Sequence, residues 1–261
     1  MSFVNTVYAA TEGAEAKEAI SVHLNPYIVG HVGGMPITAT LLTVWLVMIL
    51  LLVFAFLVRS KLSLIPNKLQ SVAELVVGGV YDYVHEVLGE KKVADKYFPI
   101  IMTIFIFILS INWVGLIPGV GAFGFYNEKH HLIPLFYPGS TDLNITLGLT
   151  IVAFFTIEIA GVMAIGFFKY FGKFINFRSP MGFVLGLIEL ISELARLISF
   201  SFRLFGNVFA GKVLLLVGIF FVPYFLPVPI YAYEMFVGLI QAVVFAILTL
   251  FFIKMAIEEP H

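Results

Sequence analysis

The chain has 261 residues, of which 61% are hydrophobic and 12% charged, with 28 Phe, no Cys and a formal net charge of -1. Soluble domains are about 25% charged, and a soluble chain this apolar would aggregate through its exposed surface, so a mean hydropathy of +1.03 makes lipid the solvent for most of it. The charge balance argues against nucleic acid as a partner, and the lack of cysteine excludes disulfides, thiolate nucleophiles and Cys-ligated zinc.

Residues 1–36 begin MSFVNTVYAATEGAEAKEAI. They lack a basic stretch followed by a long apolar run and read as an extracytoplasmic polar arm or short surface helix, not a signal peptide. About 20 apolar residues cross a bilayer as a helix. The first such run, Ile37 to Val58, fills segment 37–59, and Arg59, Lys61 and Lys68 behind it place its end in the cytoplasm and the N-terminus outside. In segment 60–97, Val72, Leu75, Val76, Val80, Val84 and Val87 recur at helical spacing among Gln70, Glu74, Asp82 and Glu86. This pattern predicts an amphipathic helix on the cytoplasmic membrane surface; an ordinary cytoplasmic helical hairpin is the competing reading.

Segment 98–178 reads as a transmembrane hairpin. Phe98 to Ile117 is closed by Pro118, an outer loop runs from Gly119 to Thr141, and Leu143 to Phe168 returns to Lys169, Lys173 and Arg178. Glu128, His130 and His131 in the loop read as solvated, not as metal ligands. Segment 179–261 holds two long apolar stretches, Met181 to Val222 and Ile230 to Ile257, broken by Pro223, Pro227 and Pro229. Both exceed the thickness of a bilayer, which predicts steep tilt. The result is an all-α integral membrane protein with about five crossings, one amphipathic surface helix, two long tilted helices at the end and a cytoplasmic C-terminus.

The fourth crossing carries the chemistry. Glu189, Glu193, Arg196, Arg203, Asn207 and Lys212 sit there in apolar surroundings, where a charge at the bilayer centre costs about 3 to 15 kcal/mol. With Ser192 and Ser199, all but Lys212 fall within about 120° of helical arc, forming one polar stripe that faces water or a partner. Lys212 lies about 180° around the helix from Arg203. Arg203, flanked by Phe200, Phe202, Leu204 and Phe205, has no local ion partner. Its permanent charge suits attracting a carboxylate on another subunit without taking that carboxylate's proton. A structural arginine paired with Glu158, Glu189 or Glu193 is the competing reading. Glu158, in the third crossing, either lines a channel or balances Arg196. The sequence shows no phosphate-binding loop, GxSxG or HExxH motif, and no cofactor is implied. A self-contained secondary ion transporter is the alternative function. It would predict internal repeats and broken midplane helices, and neither is visible.

The stretch Ser201-Phe202-Arg203-Leu204-Phe205-Gly206-Asn207-Val208-Phe209-Ala210-Gly211 resembles the R-L-F-G-N…A-G signature of the a subunit of F-type ATP synthases. Gln241 in LIQAVVFAILTLFFIKMAIEE is similar to that family's Q-A-x-x-F-x-x-L-T motif. Asn112 to Pro118 (NWVGLIP), Ser140 to Leu147 and Pro66 to Gln70 resemble further family segments, in order, from Pro66 to the C-terminus. The resemblance implies a non-catalytic stator subunit of the ATP synthase with two offset half-channels, which carry ions, protons by expectation, to and from a rotating c-ring. It implies as partners the c-ring, b-type peripheral stalk subunits, the rest of the complex and the lipid bilayer, in a bacterial plasma membrane. Arg203 would separate the half-channels. Asn207 would line the path or make a helix–helix hydrogen bond. Gln241 would face Arg203 or serve as interhelical glue. Glu189 would open the cytoplasmic exit or sit near the headgroups; Glu193 and Ser199 are further candidates on the same stripe. Lys212 stands where many members have an acidic residue or histidine, and its family partner position is Glu234. The two would meet near the outer half-channel and tune ion uptake, or Lys212 would snorkel to the surface. Gly115 replaces an acidic residue of some members.

Overall fold

The computed structural model describes residues 27–60, 66–117, 120, 123–126, 132–172, 174 and 180–258. Most of the expected N-terminal arm lies outside them, as do Lys61, Glu128, His130, His131, Lys173 and Arg178. The arm's described end is not helical. Ile28–Val32 (β1) and Met35–Thr38 (β2) pair antiparallel, with His31 opposite Pro36, around a Gly-Gly turn suited to a tight hairpin.

The helices are α1 (Ala39–Ser60), α2 (Lys68–Leu88), α3 (Lys91–Val114), α4 (Leu143–Ile165), α5 (Phe167–Gly172), α6 (Pro180–Phe221) and α7 (Pro227–Ile257). Five of them, α1, α3, α4, α6 and α7, are long and apolar enough to cross a membrane, as hydropathy predicts. α2 is an amphipathic helix of 21 residues. At about 1.5 Å per residue, the 42 residues of α6 run about 63 Å, twice the ~30 Å hydrocarbon core.

Several boundaries differ from the sequence reading. The second crossing begins at Lys91, not Phe98, so Pro99 lies inside α3. The polar first turns extend the helix because Ala94 and Tyr97 are buried in the same core as Val84 of α2. The third crossing ends at Ile165, and α5 is a separate short helix. Between α3 and α4 lie a second small hairpin, Gly124–Tyr126 (β3) with Leu132–Pro134 (β4), and a 3-10 turn at Gly139–Thr141. Pro227 and Pro229 do not break a helix. They open α7, where a proline's missing N–H costs nothing.

α7 is the central helix, packed against α3, α4 and α6. Ala153, Ala160, Ala242 and Ala246 are buried along these contacts, the small residues that let membrane helices approach closely. A thread of hydrogen bonds ties one set of helix ends together. Thr40 Oγ1 of α1 donates to Asp142 Oδ2 at 2.8 Å, while Asp142 Oδ1 caps α4 by accepting from the Asn144 N–H at 2.9 Å. Ser140 Oγ donates to Asn112 Oδ1 at 2.6 Å, and Asn112 Nδ2 donates to the Gly238 carbonyl of α7 at 3.2 Å. Where no water competes, such groups need protein partners. Asn112→Leu removes both bonds at once and deprives the Ser140 hydroxyl of its acceptor; it is expected to lower stability by about 1–3 kcal/mol, read as an earlier melting transition in detergent. Ser140→Ala, which spares the bond to Gly238, should cost less.

Candidate ion-path site

Arg203 lies within α6, half-buried, with Phe202 turned outward and Leu204 turned into the core. Its Nη2 donates to Ser199 Oγ at 3.4 Å, and the guanidinium carbon stands 5.5 Å from the centre of the Phe200 ring. Among the described residues, it makes no salt bridge.

The rest of the polar stripe does not share one environment. Arg196 Nη1 donates to Glu193 Oε2 at 2.7 Å, and its guanidinium carbon stacks 3.7 Å from the centre of the Phe252 ring of α7. Glu193 is only 4% exposed. The arc that the helical periodicity assigns to a wet or partner-facing surface is thus turned inward at Glu193 and Arg196, because α7 packs on that part of it. Ser199 and Asn207 stay exposed and Glu189 half-buried. Glu158 belongs to this inner group: the Tyr170 hydroxyl of α5 donates to its carboxylate. Tyr170 is buried, and burial first, then the Glu158 charge and that hydrogen bond, push its hydroxyl well above the ordinary tyrosine range. Glu193 and Arg196 are near enough to act on it as well.

Further along α6, Asn207 and Gly211 face Glu234 and Tyr233 of α7 and Asn112 of α3 across a cavity of about 140 Å³, room for several waters. Gly211 leaves the Glu234 carboxylate room at this position. A Cβ there would fall 2.9 Å from Glu234 Oε1, which gives the glycine of the A-G pair a steric reason. Glu234 is buried, and its Oε1 has no hydrogen-bond partner among the described residues. Lys212 and Glu234 are close enough to feel each other's charge but form no salt bridge among the described residues. Instead Lys212 Nζ donates to the Gly115 carbonyl at 3.4 Å. An acidic side chain would not fit at Gly115, where even a Cβ would meet Pro138 at 2.5 Å. Gln241 lies half-buried on α7 and has no hydrogen bond, to Arg203 or otherwise, among the described residues.

The sequence reading missed Tyr170, Phe252 and Tyr233. Aromatic residues are so frequent here that none stands out by type, and Tyr170 sits beside Lys169, which reads as the end of a span. The cavity-lining role of Asn112 had a visible signal, the NWVGLIP segment.

Residues 41–254 match the family model described as ATP synthase A chain. Subunit a 1 of the Pelobacter propionicus ATP synthase is 35% identical over 219 residues, 83% of this chain and 86% of that protein. ATP synthase subunit a of Moorella thermoacetica is 34% identical over 231 residues, covering 88% and 96%. That of Geobacter sulfurreducens is 31% identical over 240 residues, covering 91% and 94%. The matched span takes in every site residue from Asn112 to Phe252, and the chain belongs to the ATP synthase A chain family as a multi-pass membrane subunit of the Fo part of that complex.

Proposed function

We propose that this chain is the non-catalytic stator subunit that leads ions, protons by expectation, through two offset half-channels to and from a c-ring. Each carboxylate of that ring would meet Arg203 as the ring turns. The observation that carries this reading is the charge of Arg203, which no carboxylate neutralises among the described residues. Such a cation in lipid is costly and is explained by a carboxylate that arrives from another subunit. Because the guanidinium stays protonated, it draws that group into its ionised form and cannot carry its proton across. One charge falling through 100 mV releases about 2.3 kcal/mol, so several crossings must be gathered by rotation for each ATP.

The cavity between Asn207 and Glu234 supports an entrance from the outer side. The partly buried Glu189, toward the start of α6, supports an exit on the cytoplasmic side. Gln241, Glu193, Ser199 and Glu158 are assigned to the flanks of this path. The lysines and arginines behind the spans support an outer N-terminus and a cytoplasmic C-terminus, in a bacterial plasma membrane. The partners are then the c-ring, b-type stalk subunits and the nucleotide-binding subunits that carry out the chemistry.

In membrane vesicles with the complex assembled, Arg203→Ala is expected to abolish ion-driven ATP synthesis, a fall of about a hundredfold or more. Retained synthesis at a normal amount of complex would make the arginine structural. Gly211→Val should push the Glu234 carboxylate out of the cavity and slow uptake from the outer side by about tenfold or more. Lys212→Ala should alter how uptake depends on outer pH; an unchanged profile would remove Lys212 and Glu234 from the entrance.

A further inference from the structure

α6 carries two arginines on one arc, and the fold holds them by different chemistry. Arg196 has a carboxylate at 2.7 Å and an aromatic face at 3.7 Å. Arg203 has a hydroxyl, Ser199, at 3.4 Å and the face of Phe200 at 5.5 Å, within the roughly 6 Å over which a ring attracts a cation. Phe200 is itself fixed. It is 4% exposed, and its ring centre lies 5.0 Å from that of Phe245 and 5.7 Å from that of Phe252, both on α7. Phe252 thus packs near Phe200 and also takes the Arg196 guanidinium.

A long arginine side chain in an apolar setting has many rotamers and needs a seat if it is to meet a passing carboxylate in one pose. A carboxylate seat would cancel the charge that the passing group must find. An aromatic face attracts the cation through its quadrupole and leaves the net charge in place. On the reading above, which this seat presupposes, we propose that Phe200 is a positioning residue for Arg203. It holds the guanidinium without neutralising it, and Phe252 and Phe245 of α7 set the angle of its ring. Arg196, already paired with Glu193, is then an anchor of α6 and not a second station for the rotor carboxylate.

The test uses the whole complex in membrane vesicles, with the amount of assembled complex measured alongside ion-driven synthesis. Phe200→Leu keeps a buried apolar side chain and removes the π face; synthesis is expected to fall about tenfold. Phe105→Leu, at a buried core ring of α3 that pairs with neither Phe200 nor a guanidinium among the described residues, should stay within about twofold of wild type. Phenylalanines bearing one, two and three fluorines, incorporated at position 200, keep the shape and drain the face of negative charge stepwise. Synthesis should decline in the same order. A flat response to fluorine, or an equal loss in Phe200→Leu and Phe105→Leu, overturns the seat even where Arg203→Ala is inactive. Activity in Arg203→Ala would instead remove the function on which the seat depends, so the two failures are separable.

Discussion

The low dielectric of the bilayer is the constraint on which the rest depends: a guanidinium placed there must be held by something other than water. The chain solves this problem twice along one helix. At Arg196 the solution is an ion pair, shielded by Phe252 and backed by the Tyr170–Glu158 hydrogen bond. That arrangement is self-sufficient, and truncating one partner would leave a buried charge exposed to the full cost of desolvation. At Arg203 the solution is incomplete by design of the surroundings, with one hydroxyl and one aromatic face.

The packing follows from that incompleteness. A charge left unsatisfied inside the chain can be kept in place only if the backbone carrying it does not move. α7 supplies the rigidity, running through the middle of the bundle with small residues at its contacts. The thread of Asp142, Ser140 and Asn112 ties α1, α3, α4 and α7 together beside the cavity that Asn112 lines. At Gly115 this closeness leaves no room for a side chain, and at Gly211 a side chain would displace the Glu234 carboxylate.

Much of this was legible in the residues alone. The five crossings follow from hydropathy, since a continuous apolar run of about 20 residues satisfies its own backbone in lipid as a helix. Arg203 follows from its isolation and from the motif around it. The two short hairpins were not legible: β1 with β2, and β3 with β4, are too brief and too rich in glycine and proline to show an alternating pattern. Nor was the difference between the two arginines. Periodicity places Arg196 and Arg203 on the same arc, and only the position of α7, a tertiary fact, covers one and leaves the other at the edge. Lys212 shows the same limit. Its charge suggests Glu234 as a partner, yet the ammonium rests on a backbone carbonyl that no sequence pattern announces.

The length of α6 has a geometric consequence. A helix of 42 residues cannot stand upright in a ~30 Å slab without leaving about half its apolar surface in water, so it must lean far over. A leaning rod changes depth slowly along its course. Neighbouring turns then differ more in lateral position than in height, and side chains on one flank form something closer to a track than a ladder. Glu189, Arg203 and Asn207 are spread along that track. A neighbour sliding past would meet them one after another, and sequence order along the helix would become order in time.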